Sequence, residues 1–208
     1  MTDTSRVKID PARLTPAQNY FFLISAIVPR PIAWISTRSP EGSTNLAPFS
    51  FFQGVAADPP TLMVSIARTK KSGETKDTLA NIQATGEFVV NMVPGELAGP
   101  MEASADELPA GESEIDRAGL ATFSAERVSA PCLADSPVNL ECRLSREVAI
   151  GSCVAVFGEV LLAHVREDLL DERGTIDPDR LAPLARLGGS LYLPYGKAIR
   201  LRPASGSR

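Results

Sequence analysis

Histidine is nearly missing from this chain: His164 is the one imidazole among 208 residues. That scarcity excludes the ligand clusters expected of zinc and facial-triad iron sites. No nucleophile, histidine and acid constellation can be assembled around His164, which reads as a surface or satisfied strand residue. Cysteine is also sparse. Cys132, Cys142 and Cys153 stand too far apart for a CxxC metal or redox motif, and their odd number suits a disulfide framework poorly. Reduced thiols in a cytoplasm are the simpler expectation. Excess positive charge is absent as well: the formal net charge is −4, which opposes non-specific binding to nucleic acid. The longest early apolar run, Tyr20 to Val28, falls far short of the ~20 residues that span a bilayer. No basic region with a cleavage site surrounds it, so neither a membrane partner nor export is expected. Finally, there is no Walker GxxxxGKS/T pattern and no GxGxxG fingerprint, which leaves an ordinary nucleotide-triphosphate or Rossmann site without support.

What is present reads as one soluble domain over residues 1–208. The chain is 44% hydrophobic and 22% charged, ordinary values that suggest neither disorder nor a fibre. Thr15-Pro16 supplies an N-cap and first helical position, and Tyr20, Leu23, Ile24 and Ile27 recur at helical spacing up to Pro29. Strands are expected at Ile32 to Thr37, Leu46 to Gly54, Thr61 to Ala67 and Glu87 to Val93, with a turn at Ser39-Pro40-Glu41-Gly42. Asp77 is expected to cap a helix carrying Leu79 and Ile82 on one face, and Gly86 stands where a left-handed C-terminal residue belongs. Pro94 to Pro131 interrupts the strand rhythm as an excursion, with a short helix near Glu96 to Ala103. Val138 to Ser145 alternates as a half-buried strand, and Cys153 to Val165 reads as another. Asp177-Pro178 opens a short helical segment that Pro183 must kink or split, and Gly188-Gly189 ends it before a last strand at Leu191 to Leu193. Many short strands with few helices favour a barrel over a doubly wound sheet.

Two stretches carry chemistry. Arg68-Thr-Lys-Lys-Ser-Gly-Glu-Thr-Lys-Asp-Thr78 sets four cations and several hydroxyls immediately before a helix N-terminus in an acidic protein. Ammonium groups, hydroxyls and backbone N–H groups can together hold a phosphate; a solvated basic loop is the competing reading. Asn45-Leu-Ala-Pro-Phe-Ser-Phe-Phe-Gln-Gly54 places three phenylalanines and small polar groups on one strand, a pattern that alone is more often core than cofactor wall. Together the two stretches supply what a flavin needs: an apolar shelf for the ring, donors for its carbonyls and N5, and an anion cradle.

The chain resembles the flavin-reductase-like FMN-binding split barrels related to flavoredoxin. The resemblance covers nearly the whole chain. It is carried by Pro29-Arg-Pro-Ile-Ala-Trp-Ile-Ser36, Asn45-Leu-Ala-Pro-Phe-Ser-Phe-Phe52, Asp58-Pro-Pro60, Lys76-Asp-Thr-Leu-Ala-Asn81, Gly86-Glu-Phe-Val-Val-Asn91, Ser136-Pro-Val-Asn-Leu-Glu-Cys142 and Arg186-Leu-Gly-Gly-Ser-Leu-Tyr192. It implies a mainly β fold with short helices, the FMN-binding split β-barrel, and a homodimer with non-covalent FMN near the subunit interface. It also implies a reductase using NADH or NADPH, with a partner oxygenase as one destination for the reduced flavin. Carried over by position, Ala47, Pro48, Phe49 and Ser50, with Asn45 in the same stretch, become ring-side candidates. Ser65, Arg68, Thr69, Lys70, Lys71, Lys76 and Thr78 become candidates for the ribityl chain and phosphate, although Arg68, Lys70 and Lys71 cannot all reach one phosphate. Trp34 is a candidate to flank the ring, with a core position as the alternative. Asn91 is a further candidate, with a structural role as its alternative. Arg186 and Tyr192 are candidates to approach the cofactor or a nicotinamide, or else pack at the dimer seam.

No catalytic side chain is expected, because the flavin carries the redox chemistry while the protein positions and tunes it. The competing readings are a non-enzymatic electron carrier or flavin-storage module, and a split barrel for another ligand such as haem or pyridoxal phosphate. The single histidine makes haem the least attractive of these.

Overall fold

In the computed structural model, which describes residues 5–109 and 112–199, the first helix α1 (Pro16–Ala26) starts from a reciprocal capping box. The Thr15 hydroxyl accepts the Gln18 N–H, and the Gln18 side chain accepts the Thr15 N–H at 2.9 Å. Strands β1 (Arg30–Pro31) and β2 (Ala33–Arg38) follow. Gly42, at a φ of 98° that a side chain would resist, turns β2 back into β3 (Thr44–Phe49). Then come β4 (Phe52–Ala57), β5 (Pro60–Ala67), helix α2 (Asp77–Thr85) and β6 (Glu87–Met92). The excursion holds α3 (Ala98–Ala103), α4 (Glu114–Ala118) and β7 (Thr122–Phe123), and residues 110 and 111 within it lie outside the described residues. The chain continues with β8 (Cys132–Leu133), the long strands β9 (Val138–Ile150) and β10 (Cys153–Val165), helix α5 (Pro178–Leu181), β11 (Ala185–Arg186) and β12 (Tyr192–Leu193).

Seven strands form one antiparallel sheet in the order β3-β2-β6-β9-β10-β5-β4. Its two edge strands, β3 and β4, are separated along the chain only by Ser50 and Phe51. Three Cα steps reach at most about 11 Å, so the sheet must curl until its edges almost meet. The edges do not pair with one another, which makes this a split barrel. The Phe51 carbonyl accepts the Ser65 N–H at 2.8 Å and anchors the crossing to β5.

The crossing corrects one expectation: Leu46 to Gly54 is not a single strand. Its two halves belong to opposite edges of the sheet: β3 is buried or partly buried along its length, whereas β4 is exposed beyond Phe52. A second correction concerns Asp77, which does not cap α2. Lys76 holds the N-cap position without a side-chain capping bond, while Asp77 is the first helical residue and pairs with Lys70 at 2.7 Å. Gly86 does close the helix in the left-handed conformation, at φ 73°. The strand expected over Val138 to Ser145 runs on to Ile150.

Because side chains alternate along a strand, β2 serves two cores. Ala33 and Ile35 enter the barrel with Val64, Phe88 and Val156, against Leu79 and Ile82 of α2. Trp34, with Ile32 just before the strand, faces outward under the excursion, against Leu46, Met101, Ile115 and Leu133. The excursion is therefore a cover over the outer face of β2 and β3.

Candidate functional site

At the β3–β4 crossing a cleft of about 320 Å³ opens, within the size range of small-molecule sites. Pro48, Phe49, Ser50 and Phe51 form one wall. Tyr20 and Ile24 of α1 face them, and Ser65 and Ala67 of β5 contribute beside Cys153, which pairs in register with Ala67. Met101, Glu102 and Ala105 close the side toward the excursion.

Arg30 is the most constrained polar group in this cleft. Only 5% exposed, it donates from Nη1 to the carbonyls of Ile24 and Ile27 at 2.7 Å each, and from Nη2 to Leu187 O at 2.8 Å. Carbonyls at the end of a helix welcome a cation, and the guanidinium thereby ties α1 to the C-terminal segment. Burial, together with the charge of Arg186, lowers its pKa. Arg30 Nε also donates to Ser50 Oγ at 3.4 Å, so the Ser50 hydroxyl proton remains available to a ligand. On the far side Arg186 stacks over the Tyr192 ring at 4.3 Å, and Glu102 accepts from both side chains.

A second, smaller pocket of about 30 Å³ lies at the start of α2 and shares Lys76 and Ala105 with the cleft. Asn45, Ala47, Lys70 and Thr78 line it. The Asn45 amide donates to the Thr78 hydroxyl at 2.8 Å, joining β3 to the first turn of the helix. The hydrogen bond to Asp77 raises the pKa of Lys70. Buried Glu114 accepts the Leu46 N–H at 2.9 Å, and desolvation pushes its pKa up.

The structure thus gathers Pro48, Phe49, Ser50 and Ser65 in the cleft, Asn45, Ala47, Lys70 and Thr78 in the smaller pocket, and Lys76 in both. It does not bring in Trp34 or Asn91. Trp34 is fully buried, its Nε1 donating to Ser104 Oγ at 2.8 Å. Asn91 is equally buried and is consumed by Trp34 O, Ser36 Oγ, the Leu133 N–H and Asn139. Arg68, Thr69 and Lys71 stand exposed on the loop and line neither cavity. Tyr20, Arg30, Phe51, Glu102 and Cys153 are cleft residues that were not singled out from the sequence. Of these, Arg30 and Phe51 lay inside quoted motifs, whereas Cys153 reaches the cleft only through its register with β5.

Away from the cleft, Cys132, Glu141 and His164 offer ligand atoms within 4.8 Å of one another. The Glu141 carboxylate already accepts Glu126 N–H at 2.9 Å, Arg127 N–H at 2.6 Å and a bond from His164 Nε2. The same imidazole nitrogen and carboxylate that a metal would need are therefore bonded to each other. Burial, then the Glu141 charge, pushes the Cys132 thiol up to about 12, which disfavours a thiolate ligand. The cluster acts as a hydrogen-bonded junction holding the 126–127 turn.

Comparison with known proteins identifies the family. Residues 25–185 match the family model described as "Flavin reductase like domain". The chain belongs to the flavin reductase-like family. A protein from Halalkalibacterium halodurans is 39% identical over 201 residues, covering 94% of this chain and 95% of its own. The crystal structure of nitrilotriacetate monooxygenase component B from Bacillus cereus superposes with a TM-score of 0.90 at 35% identity, covering 96% of this chain and 100% of that one. Pseudomonas fluorescens 2-nitrobenzoate 2-nitroreductase gives a TM-score of 0.88 at 30% identity, covering 97% and 98%. Within this flavin reductase-like barrel, the cleft at the β3–β4 crossing is the larger of the two cavities described above.

Proposed function

We propose that this protein binds FMN non-covalently in the cleft and reduces it with NADH or NADPH. The observation that carries the reading is the junction of the two cavities at Lys76. An apolar-walled cleft borders a polar pocket beside the start of a helix, with Lys76 and Ala105 lining both, an arrangement that suits a ring with a phosphate tail. Pro48, Phe49 and Phe51 would shelve the ring and Ser50 would donate to it. Ser65 would line the path of the ribityl chain, while Lys76 and Thr78 would meet the phosphate. When bound, the flavin would supply the redox chemistry, accepting hydride at N5 from the dihydronicotinamide. The protein's part is to orient the ring, exclude water on the α1 side and supply a fixed positive field through Arg30.

The reading extends to a homodimer. Within α1 only Ile24 is buried, while Tyr20, Phe21, Phe22 and Leu23 are exposed beside the cleft. Exposed apolar side chains of that kind, spread around a surface helix, are suited to burial against a second copy of the chain. The likeness to an oxygenase component B supports reduced flavin being handed to a partner oxygenase. No described helix is long and apolar enough to cross a membrane.

The test is anaerobic: purified protein, FMN and either NADH or NADPH are mixed, and pyridine nucleotide absorbance is followed. Rapid oxidation of one nucleotide with bleaching of the flavin is expected. Bound FMN that neither nucleotide reduces would turn the reading to an electron carrier or flavin-storage module.

A further inference from the structure

The phosphate end of the site already holds a negative charge that draws on its donors. Glu107, in the stretch after α3, accepts the Lys71 backbone N–H with both carboxylate oxygens, at 3.1 and 3.3 Å. Its Oε1 also stands 3.7 Å from Lys76 Nζ. The other acids around this pocket differ. Asp77 is matched by Lys70 at 2.7 Å, and Glu114 is committed to the Leu46 N–H. Asp106 lines the pocket but has no ion pair among the described residues.

The backbone that carries Glu107 is fixed from below. Met101, Ser104 and Leu108 are buried, and Ser104 Oγ accepts Trp34 Nε1 while donating to Met101 O at 2.7 Å. The Glu107 side chain, by contrast, is 31% exposed and can turn to solvent without moving that anchor.

We propose that Glu107 sets the affinity of the phosphate end: its carboxylate, held in place by the Lys71 N–H, competes with the FMN phosphate for Lys76. This rests on the reading of Lys76 as a phosphate contact. When FMN enters, Glu107 swings outward and the phosphate takes over Lys76; when FMN leaves, the carboxylate returns and Lys76 is not left unmatched. The consequence is an exchangeable flavin rather than a permanently held one, which suits a reductase that passes reduced flavin on. Exposed ion pairs are individually weak, so the competition is graded and worth about two- to fivefold in affinity.

The experiment titrates FMN and riboflavin, by flavin fluorescence, against wild type and Glu107→Gln, and follows FMN release after dilution. The variant is expected to bind FMN about two- to fivefold more tightly through slower release, with riboflavin unchanged. FMN affinity that is unchanged or weaker, or riboflavin tightened equally, overturns the proposal. A loss for both ligands makes Glu107 a brace for the segment and overturns it too. Failure of the underlying reading looks different: wild type would then bind FMN no more tightly than riboflavin.

Discussion

The Asn45 side-chain amide donates to the Thr78 hydroxyl at 2.8 Å, and both residues are buried. One hydrogen bond thereby couples the strand that leads to the cleft wall with the helix that begins at the smaller pocket. Thr78→Val keeps the shape but strands a buried amide, which costs about 1–3 kcal/mol. The urea midpoint should fall with an unchanged m value, while Thr78→Ser should stay close to wild type. A valine variant as stable as the serine variant would contradict this coupling.

Ser50 reports on the ring end. Since it accepts from Arg30 Nε, its own proton is free for the flavin, and Ser50→Val should weaken FMN and riboflavin alike by about 0.5–1.5 kcal/mol. The flavin spectrum should shift with it. Unchanged affinity and spectrum would remove the Ser50 hydroxyl from the contacts.

The longer strands, α1 and the Gly86 helix stop were legible because each rests on local chemistry: alternation and branched residues, a Thr-Pro start, a left-handed glycine. The Ser50–Phe51 break was not, because the three phenylalanines run through it without a local turn signal, and only pairing with distant strands puts the two segments at opposite edges of a sheet. The candidate site divides similarly. Lys76, Thr78 and Ser50 stood in short stretches whose residue types suggested a cofactor. Cys153 and Glu102 reach the cleft through pairing and packing between distant segments. Trp34 and Asn91 look functional in sequence because an aromatic and an amide can serve a ligand or a core. Only the cover formed by the excursion shows that these two serve the core.

Cys153 gives a chemical map of the cleft. Cys132 and Cys142 are fully buried, and desolvation raises both thiol pKa values, whereas Cys153 is half-buried and lines the cleft. A thiol reagent applied to the native protein should modify Cys153 first, and saturating FMN should slow that reaction severalfold. Modification at the same rate with and without FMN would move the ligand elsewhere.

Glu141 predicts an acid-sensitive contribution to stability. Burial acts to raise its pKa, but the bonds donated by the Glu126 N–H, by His164 and by the Arg127 N–H outweigh burial and hold it below the ordinary carboxylate range. A group whose pKa is lowered by folding contributes fully above its unfolded value of about 4.3. That contribution is lost as pH falls through the lower folded value. The difference in melting temperature between wild type and Glu141→Gln should therefore hold steady from pH 7 to about 5 and shrink in stronger acid. A gap that stays constant down to pH 3, or widens, would contradict the assignment.

The central claim, that FMN lies in the cleft with its phosphate at Lys76, is tested most directly by titrating FMN and riboflavin against wild type and Lys76→Met. The two ligands share the ring and differ in the anion. Wild type should prefer FMN, and the variant should lose about 1.5–3 kcal/mol for FMN, roughly tenfold to a hundredfold in affinity, with little change for riboflavin. Added salt should weaken FMN binding more in wild type than in the variant. An equal loss for both ligands would contradict the account, making Lys76 a support for the ring site and moving the phosphate to another cation of the loop.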